Sequence, residues 1–131
     1  MELEKYSKKD LSKCRFLVTG GAGFIGSNLV KHLLDNNAQH VRVLDNLSNG
    51  FRENIEPFLG NNRFEFIECD IRNLDVCIKA CKDVNFISHQ AALGSVPRSL
   101  KDPILTNDVN INGFLNMLVA ARDLGIKRFV Y

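Results

Sequence analysis

The sequence contains no tryptophan, two tyrosines and only three prolines in 131 residues. So little proline leaves most of the chain free to form uninterrupted helices and central strands. An excess of charge of one sign is missing too: 17 basic residues stand against 15 acidic ones, a formal +2. That surplus is too small to make nucleic acid or an anionic membrane the expected partner. The one charged cluster lies at the front, where Lys5, Lys8, Lys9 and Lys13 alternate with Glu2, Glu4 and Asp10. It reads as a solvated N-terminal arm or helix over residues 1–13. No apolar run approaches the roughly 20 residues of a membrane-spanning helix, and the charged N-terminus carries no signal-peptide segment. A cytoplasmic protein is expected. Cys14, Cys69, Cys77 and Cys81 form no CxxC pair and have no histidine at metal-ligand spacing. Cys77 and Cys81 could share a helix face, but no second ligand pair accompanies them, so no metal site and four reduced, mostly buried thiols are expected.

What is present is a hydrophobic fraction of 45% with 24% charged residues, the balance of a globular domain with a core. Residues 14–131 read as one domain. Apolar runs of strand length alternate with stretches of helical period, the pattern of stacked βαβ units and a parallel sheet. The expected strands are Cys14 to Thr19, Val41 to Leu44, Phe64 to Glu68, Val84 to Ser88, and a fifth, cut short, from Arg128 to Tyr131. A helix is predicted from about Gly23 to Asn36, with Ile25, Leu29, Leu33 and Leu34 on its core face. A second is predicted from about Asn107 to Leu124, with Ile111, Leu115, Leu118 and Val119 inward and Gly125 as its cap. Shorter helices are expected within Arg52 to Leu59 and Leu74 to Lys82. Right-handed crossovers then give an α/β, Rossmann-type doubly wound sheet of strand order 3-2-1-4-5, whose ligands bind beyond the carboxyl ends of the strands.

The chemistry concentrates at those ends. Gly20-Gly21-Ala22-Gly23-Phe24-Ile25-Gly26 follows a predicted strand and opens a predicted helix. Gly23 lets backbone approach a pyrophosphate, Gly26 lets helix pack on sheet, and the helix amides meet the phosphate charge. Asp45 stands nineteen residues beyond Gly26 at the end of the second strand. A carboxylate there accepts ribose hydroxyls and repels a 2′-phosphate, so NAD is expected rather than NADP. Asp70 ends the third strand and reads either as an adenine-side residue or as a turn cap. His89, near the end of the fourth, has no evident catalytic partner and reads as a packed histidine; His32 and His40 read as surface residues. Gln90 to Ser95 is small enough for a ligand to lie against its backbone. Pro97 and Pro103 bracket what reads as a loop, with Arg98, Ser99 and Lys101, which is either a surface connection or a place for an anionic substrate.

TGGAGFIGSNLV, LDNLSNG, ECDIRN and HQAALGSVPRS resemble, in order and spacing, the nucleotide-sugar epimerases and dehydratases of the extended short-chain dehydrogenase/reductase superfamily. The resemblance runs from about Cys14 to Tyr131, and HQAALGSVPRSLKDP is most similar to 4-epimerases of UDP-N-acetylglucosamine and its uronic acid, enzymes of bacterial surface polysaccharide synthesis. It implies inversion at C4 of a UDP-sugar through a 4-keto intermediate, with NAD as cofactor and a homodimeric parent enzyme. Position by position, it implies that Gly20, Gly23, Phe24, Ile25 and Gly26 hold the pyrophosphate and that Asp45 and Asn46 hold the adenosine ribose, with Ser48, Asn49 and Gly50 nearby. Asp70 and Ile71 would contact the adenine; Gln90, Ala91 and Ala92 would flank the centre of the cofactor; Asn110 would approach it from the long helix. Gly94 and Ser95 would face the sugar. The family's catalytic serine or threonine and its Tyr-x-x-x-Lys pair fall beyond Tyr131, so no catalytic residue is assigned; Tyr6 is followed four places later by Asp10. The 131 residues alone are therefore expected to be inactive. The alternatives are a 4,6-dehydratase or decarboxylase of the same fold, and a non-catalytic NAD-binding module or inactive truncated product.

Overall fold

The computed structural model describes residues 10–131; the expected N-terminal arm lies largely outside them. Five parallel strands form one sheet in the order β3-β2-β1-β4-β5. They are β1 (Arg15–Thr19), β2 (His40–Asp45), β3 (Phe64–Glu68), β4 (Phe86–His89) and β5 (Arg128–Val130). The helices are α1 (Phe24–Asp35), α2 (Leu74–Cys81), α3 (Val96–Lys101), α4 (Pro103–Asn107) and α5 (Phe114–Asp123). A π-helical turn, Asp108–Gly113, joins α4 to α5, and two short 3₁₀ turns, Arg52–Asn54 and Glu56–Phe58, follow β2.

Successive strand residues point to opposite faces, and each face has its own core. Val18, Val41 and Val43 meet Val30, Leu33 and Leu34 of α1. On the other face Leu17, Leu44 and Ile87 meet Cys77, Ala80 and Cys81 of α2 and Met117, Ala120 and Ala121 of α5. Arg42 shares this second face. Its guanidinium donates to Glu65 at 2.7 Å and to the carbonyls of Ala80 and Lys82 at 2.7 and 2.8 Å, tying the end of α2 to the sheet.

Both long helices end in left-handed residues. Asn37 (φ 62) and Gly125 (φ 64) allow Ala38 N–H to reach Leu33 O and Ile126 N–H to reach Ala121 O, as in a Schellman motif. Four expectations need correction. Ile25 is 66% exposed, because the first turn of α1 projects past the sheet. Ile111 and Leu115 are 58% and 55% exposed and Leu118 also faces outward, while Val109, Gly113, Met117, Ala120 and Ala121 are buried. The π turn shifts the helical phase, and close packing selects the small residues rather than the most apolar ones. The Pro97–Pro103 segment is helical, each proline occupying a first-turn position where its missing N–H costs nothing. His40 is mostly buried and bonds Glu65 at 3.1 Å.

Gly26 is fixed by contact rather than by dihedral angle: a Cβ there would overlap Gly20 O and the Gly21 backbone. Gly26→Ala is therefore expected to destabilise the fold by about 1–3 kcal/mol, read as a lower urea midpoint with an unchanged m-value.

Candidate functional site

The strand order reverses direction between β1 and β4, where doubly wound sheets open a crevice. Here an open cleft lies beyond the strand ends. The glycine turn contributes Gly20 and Gly23, the end of β2 contributes Asp45, the loop after it contributes Asn46, Ser48, Asn49 and Gly50, and the loop after β3 contributes Asp70 and Ile71. Gln90, Ala91 and Ala92 close the far side. Leu44, Cys69, Leu93 and Val109 line it as well; sequence reasoning singled none of them out for the cleft because apolar side chains and backbone walls carry no chemical signature.

Gly20 turns the chain at φ +69, and a Cβ there would lie 2.7–2.9 Å from the Gln90–Ala91 backbone. Only glycine lets the two loops meet. At the start of α1, Gly23 is the N-cap and offers no side-chain bond. The first backbone bond into the helix is Ser27 N–H to Gly23 O, at 3.0 Å. The amides of Phe24, Ile25 and Gly26 thus have no intrahelical acceptor, and the positive end of the helix dipole lies at the cleft. Phe24 and Ile25 themselves project into solvent, 83% and 66% exposed.

Asp45 is only 8% exposed. One carboxylate oxygen accepts Ala22 N–H at 2.9 Å and the other accepts Leu47 N–H at 2.8 Å. Leu47 is held at φ +58, an uncommon conformation for a branched side chain. Asp70 accepts from Arg72, in contacts of 2.9–3.1 Å, and from Asn46 at 2.8 Å. The Arg72 hydrogen bonds hold its carboxyl below the usual carboxylate range, against partial burial.

A second hollow adjoins the first and shares Gln90, Ala91 and Ala92 with it; His89, Asn110, Phe114 and Tyr131 complete its lining. His89 Nδ1 lies 2.8 Å from Thr19 Oγ1, which accepts Ala91 N–H at 3.2 Å. The His89 ring also packs against Phe114 and Phe129, at 5.2 and 5.8 Å between centroids. Asn110 does not reach into the cleft; its amide bonds both the N–H and the C=O of Leu93, at 2.7 and 2.9 Å. Gly94 and Ser95 are exposed and line neither hollow: a Cβ on Gly94 would meet nothing within 4 Å, and Ser95 Oγ caps α3 through Arg98 N–H. All four cysteines are free thiols; Cys77 and Cys81 are buried, and Cys14 and Cys69 are partly buried. No helix among the described residues is long and apolar enough to cross a membrane.

A parallel sheet with a glycine turn, free helix amides and a buried carboxylate at the adjoining strand end defines a dinucleotide-binding α/β domain. The profile of the NAD dependent epimerase/dehydratase family matches residues 16–131, and the chain belongs to that family. Among solved structures, the Thermus thermophilus UDP-glucose 4-epimerase complex with NAD is 42% identical, with a TM-score of 0.79 over 89% of this chain and 36% of that one. DesIV, a dTDP-glucose 4,6-dehydratase from Streptomyces venezuelae with NAD bound, is 37% identical, with a TM-score of 0.84 over 89% of this chain and 38% of that one. The UDP-N-acetylglucosamine 4-epimerase of Methanobrevibacter ruminantium is 37% identical, with a TM-score of 0.82 over 91% of this chain and 37% of that one. The chain thus spans little more than a third of these relatives' length. NAD is the family's cofactor, and the free amides and glycine cradle fit its pyrophosphate.

Burial pushes the His89 pKa down from 6.5 to about 4. The folded state favours the neutral ring, so stability is fully present above pH 6.5 and falls as pH drops toward 4, where the native ring also protonates. The loss over that window is roughly 3 kcal/mol. Urea denaturation between pH 7 and 4 should show this slope in the wild type and a shallower one in His89→Asn.

Proposed function

We propose that the chain is the NAD-binding part of a nucleotide-sugar 4-epimerase acting on UDP-N-acetylglucosamine or its uronic acid, in a cytoplasmic, homodimeric parent enzyme. The observation that carries this reading is the cleft itself, which joins the glycine turn, Asp45 and the Gln90–Ala92 wall in a chain of the epimerase/dehydratase family. The choice of sugar rests on HQAALGSVPRS and on the likeness to the Methanobrevibacter enzyme. Leu100, Ile104, Ile111 and Leu115 leave an apolar helical surface uncovered, which suits burial against a second copy.

In this reading the amides of Phe24, Ile25 and Gly26 bind the pyrophosphate, with Gly20 and Gly23 giving it room. Asp45 receives the ribose hydroxyls through lone pairs left over from Ala22 and Leu47, and Asn46, Ser48, Asn49 and Gly50 surround that ribose. Asp70 and Ile71 border the adenine; Gln90, Ala91 and Ala92 flank the cofactor's centre; Asn110 supports that wall. Bound NAD⁺ would supply a reversible hydride acceptor at C4 of the sugar. The chain's part is to orient cofactor and sugar and to exclude water from the hollow beside His89 and Phe114. Gly94 and Ser95, exposed outside both hollows, would face the sugar, with the missing side chain at Gly94 leaving room for an N-acetyl group.

The likeness to DesIV favours a second reading, a 4,6-dehydratase, which begins with the same oxidation at C4. Incubating the full-length enzyme with UDP-N-acetylglucosamine and following the product by NMR separates them. The C4 epimer is expected; a 4-keto-6-deoxy sugar would establish the dehydratase. Gly94→Phe should suppress turnover in the same assay while leaving cofactor content nearly unchanged, and unaltered kinetics would remove this loop from the sugar site.

Asp45→Asn tests the ribose assignment. Asparagine cannot accept both Ala22 and Leu47 N–H with its two side-chain ends, so affinity for either cofactor falls. The informative quantity is the ratio of NAD⁺ to NADP⁺ affinity by calorimetry, expected to narrow by roughly tenfold as the negative charge facing a 2′-phosphate is removed. An unchanged ratio would place discrimination elsewhere.

A further inference from the structure

The loops after β3 and β4 leave strands three positions apart in the sheet, roughly 14 Å at the usual strand spacing. They form opposite walls of the cleft, yet both are bound to one short stretch of helix. Asn110, inside the π-helical turn, grips Leu93 at both backbone polar atoms. Six residues further on, Asn116 Nδ2 donates to Ile71 O at 3.0 Å. Between them Gly113 lies so close to Ile71 that a Cβ would sit 2.7 Å from the Ile71 side chain. At the front of the turn Asp108 pairs with Arg72 at 3.4 Å, and Arg72 in turn holds Asp70. Val109, within the same turn, lines the cleft directly.

A regular α-helix would present one stripe of side chains to the sheet. The π turn inserts an extra residue, which permits Asn110 to address Leu93 while Gly113 and Asn116 address Ile71. Neither asparagine amide needs to touch a ligand to matter. Leu93 is held at both backbone polar atoms and Ile71 at its carbonyl, while the Ile71 side chain packs against Gly113 and into the core. Asn110 differs from an ordinary buried asparagine in satisfying one residue's donor and acceptor together, an arrangement that fixes orientation as well as distance.

We propose that residues 108–116 form a brace that sets the separation of the two walls of the dinucleotide cleft, with Asn116 positioning the adenosine side and Asn110 the nicotinamide side. Both are positioning residues acting through Ile71 and Leu93. The inference rests on the NAD-binding assignment of this cleft and deepens it: the brace predicts which part of the cofactor each residue serves.

The test is calorimetry of the purified protein with AMP, ADP-ribose and NAD⁺. Asn116→Ala should weaken all three by a similar factor, roughly five- to tenfold, because the adenosine wall is common to them. Asn110→Ala should leave AMP within twofold of wild type and weaken NAD⁺ roughly tenfold. A split of this kind cannot come from general loss of folding, which would lower AMP and NAD⁺ together. Equal losses for AMP and NAD⁺ in Asn110→Ala, or no loss for either, would overturn the proposal. Hydrogen exchange on the wild type without nucleotide gives a second measurement that needs no variant. The Leu93 amide, bonded to Asn110 before any ligand arrives, should exchange at least tenfold more slowly than that of Gly94. Rapid exchange at Leu93 would equally overturn the brace. If wild-type protein bound none of the three nucleotides while Leu93 stayed protected, the cofactor assignment of the cleft would fail and the brace would stand as a loop anchor only.

Discussion

The carboxylate of Asp45 is the constraint on which the site is built. It is nearly buried, and a buried carboxylate is tolerated only where hydrogen bonds replace its water. Ala22 N–H and Leu47 N–H provide those bonds. One fixes the glycine turn against the end of β2, and the other draws Leu47 into a left-handed conformation that a leucine adopts only under compulsion. The course of the glycine turn, the start of α1 and the direction in which the Asn46–Gly50 loop leaves the sheet all follow from this one group. Because these bonds use one lone pair on each oxygen, others remain for a diol. Binding and architecture meet in the same atoms.

A comparable junction lies across the switch point. Thr19 ends β1 and pairs in register with His89 at the end of β4. Its hydroxyl stands between His89 Nδ1 and the Ala91 amide. Since Thr19 Oγ1 accepts from Ala91, its proton is available to a neutral His89, which leaves the histidine proton on Nε2. The lowered His89 pKa and the surrounding phenylalanines favour that neutral form. The histidine thus reads as a packed support for the Gln90–Ala92 wall, in keeping with its lack of an acid–base partner in the sequence.

β1 was legible because it is nearly continuously apolar and ends fully buried; the edge strands β3 and β5 are only partly buried, and it was their alternation with helical periods that implied the order 3-2-1-4-5. Glycine spacing and Asp45 marked the cleft because few residue types satisfy a tight βα turn beside a buried carboxylate. Helix faces were less legible. Leucine and isoleucine at 111, 115 and 118 suggested a core stripe, but the sheet is approached through Gly113, Ala120 and Ala121, whose small size carries no periodic signal. A π turn cannot be inferred from hydrophobic period at all, since it changes the period. Leu93 was marked only as part of the Gln90–Ser95 segment, because nothing in the sequence shows that Asn110 binds both its N–H and its C=O.

The two ends of the cleft differ in the physics they offer a ligand. Near β2 and β3 the walls carry the carboxylates Asp45 and Asp70, with Asn46 and Arg72 organising the second. Near β4 the lining changes to alanines, His89 and Phe114, with Asn110 already engaged by Leu93. Nothing charged stands among those residues, so this end offers a ligand shape and packing rather than charge. The cleft therefore offers charge at the β2 and β3 end and shape at the β4 end. The rigidity of the loop from Gln90 to Leu93, held to Thr19 and to Asn110, is what makes geometry sufficient.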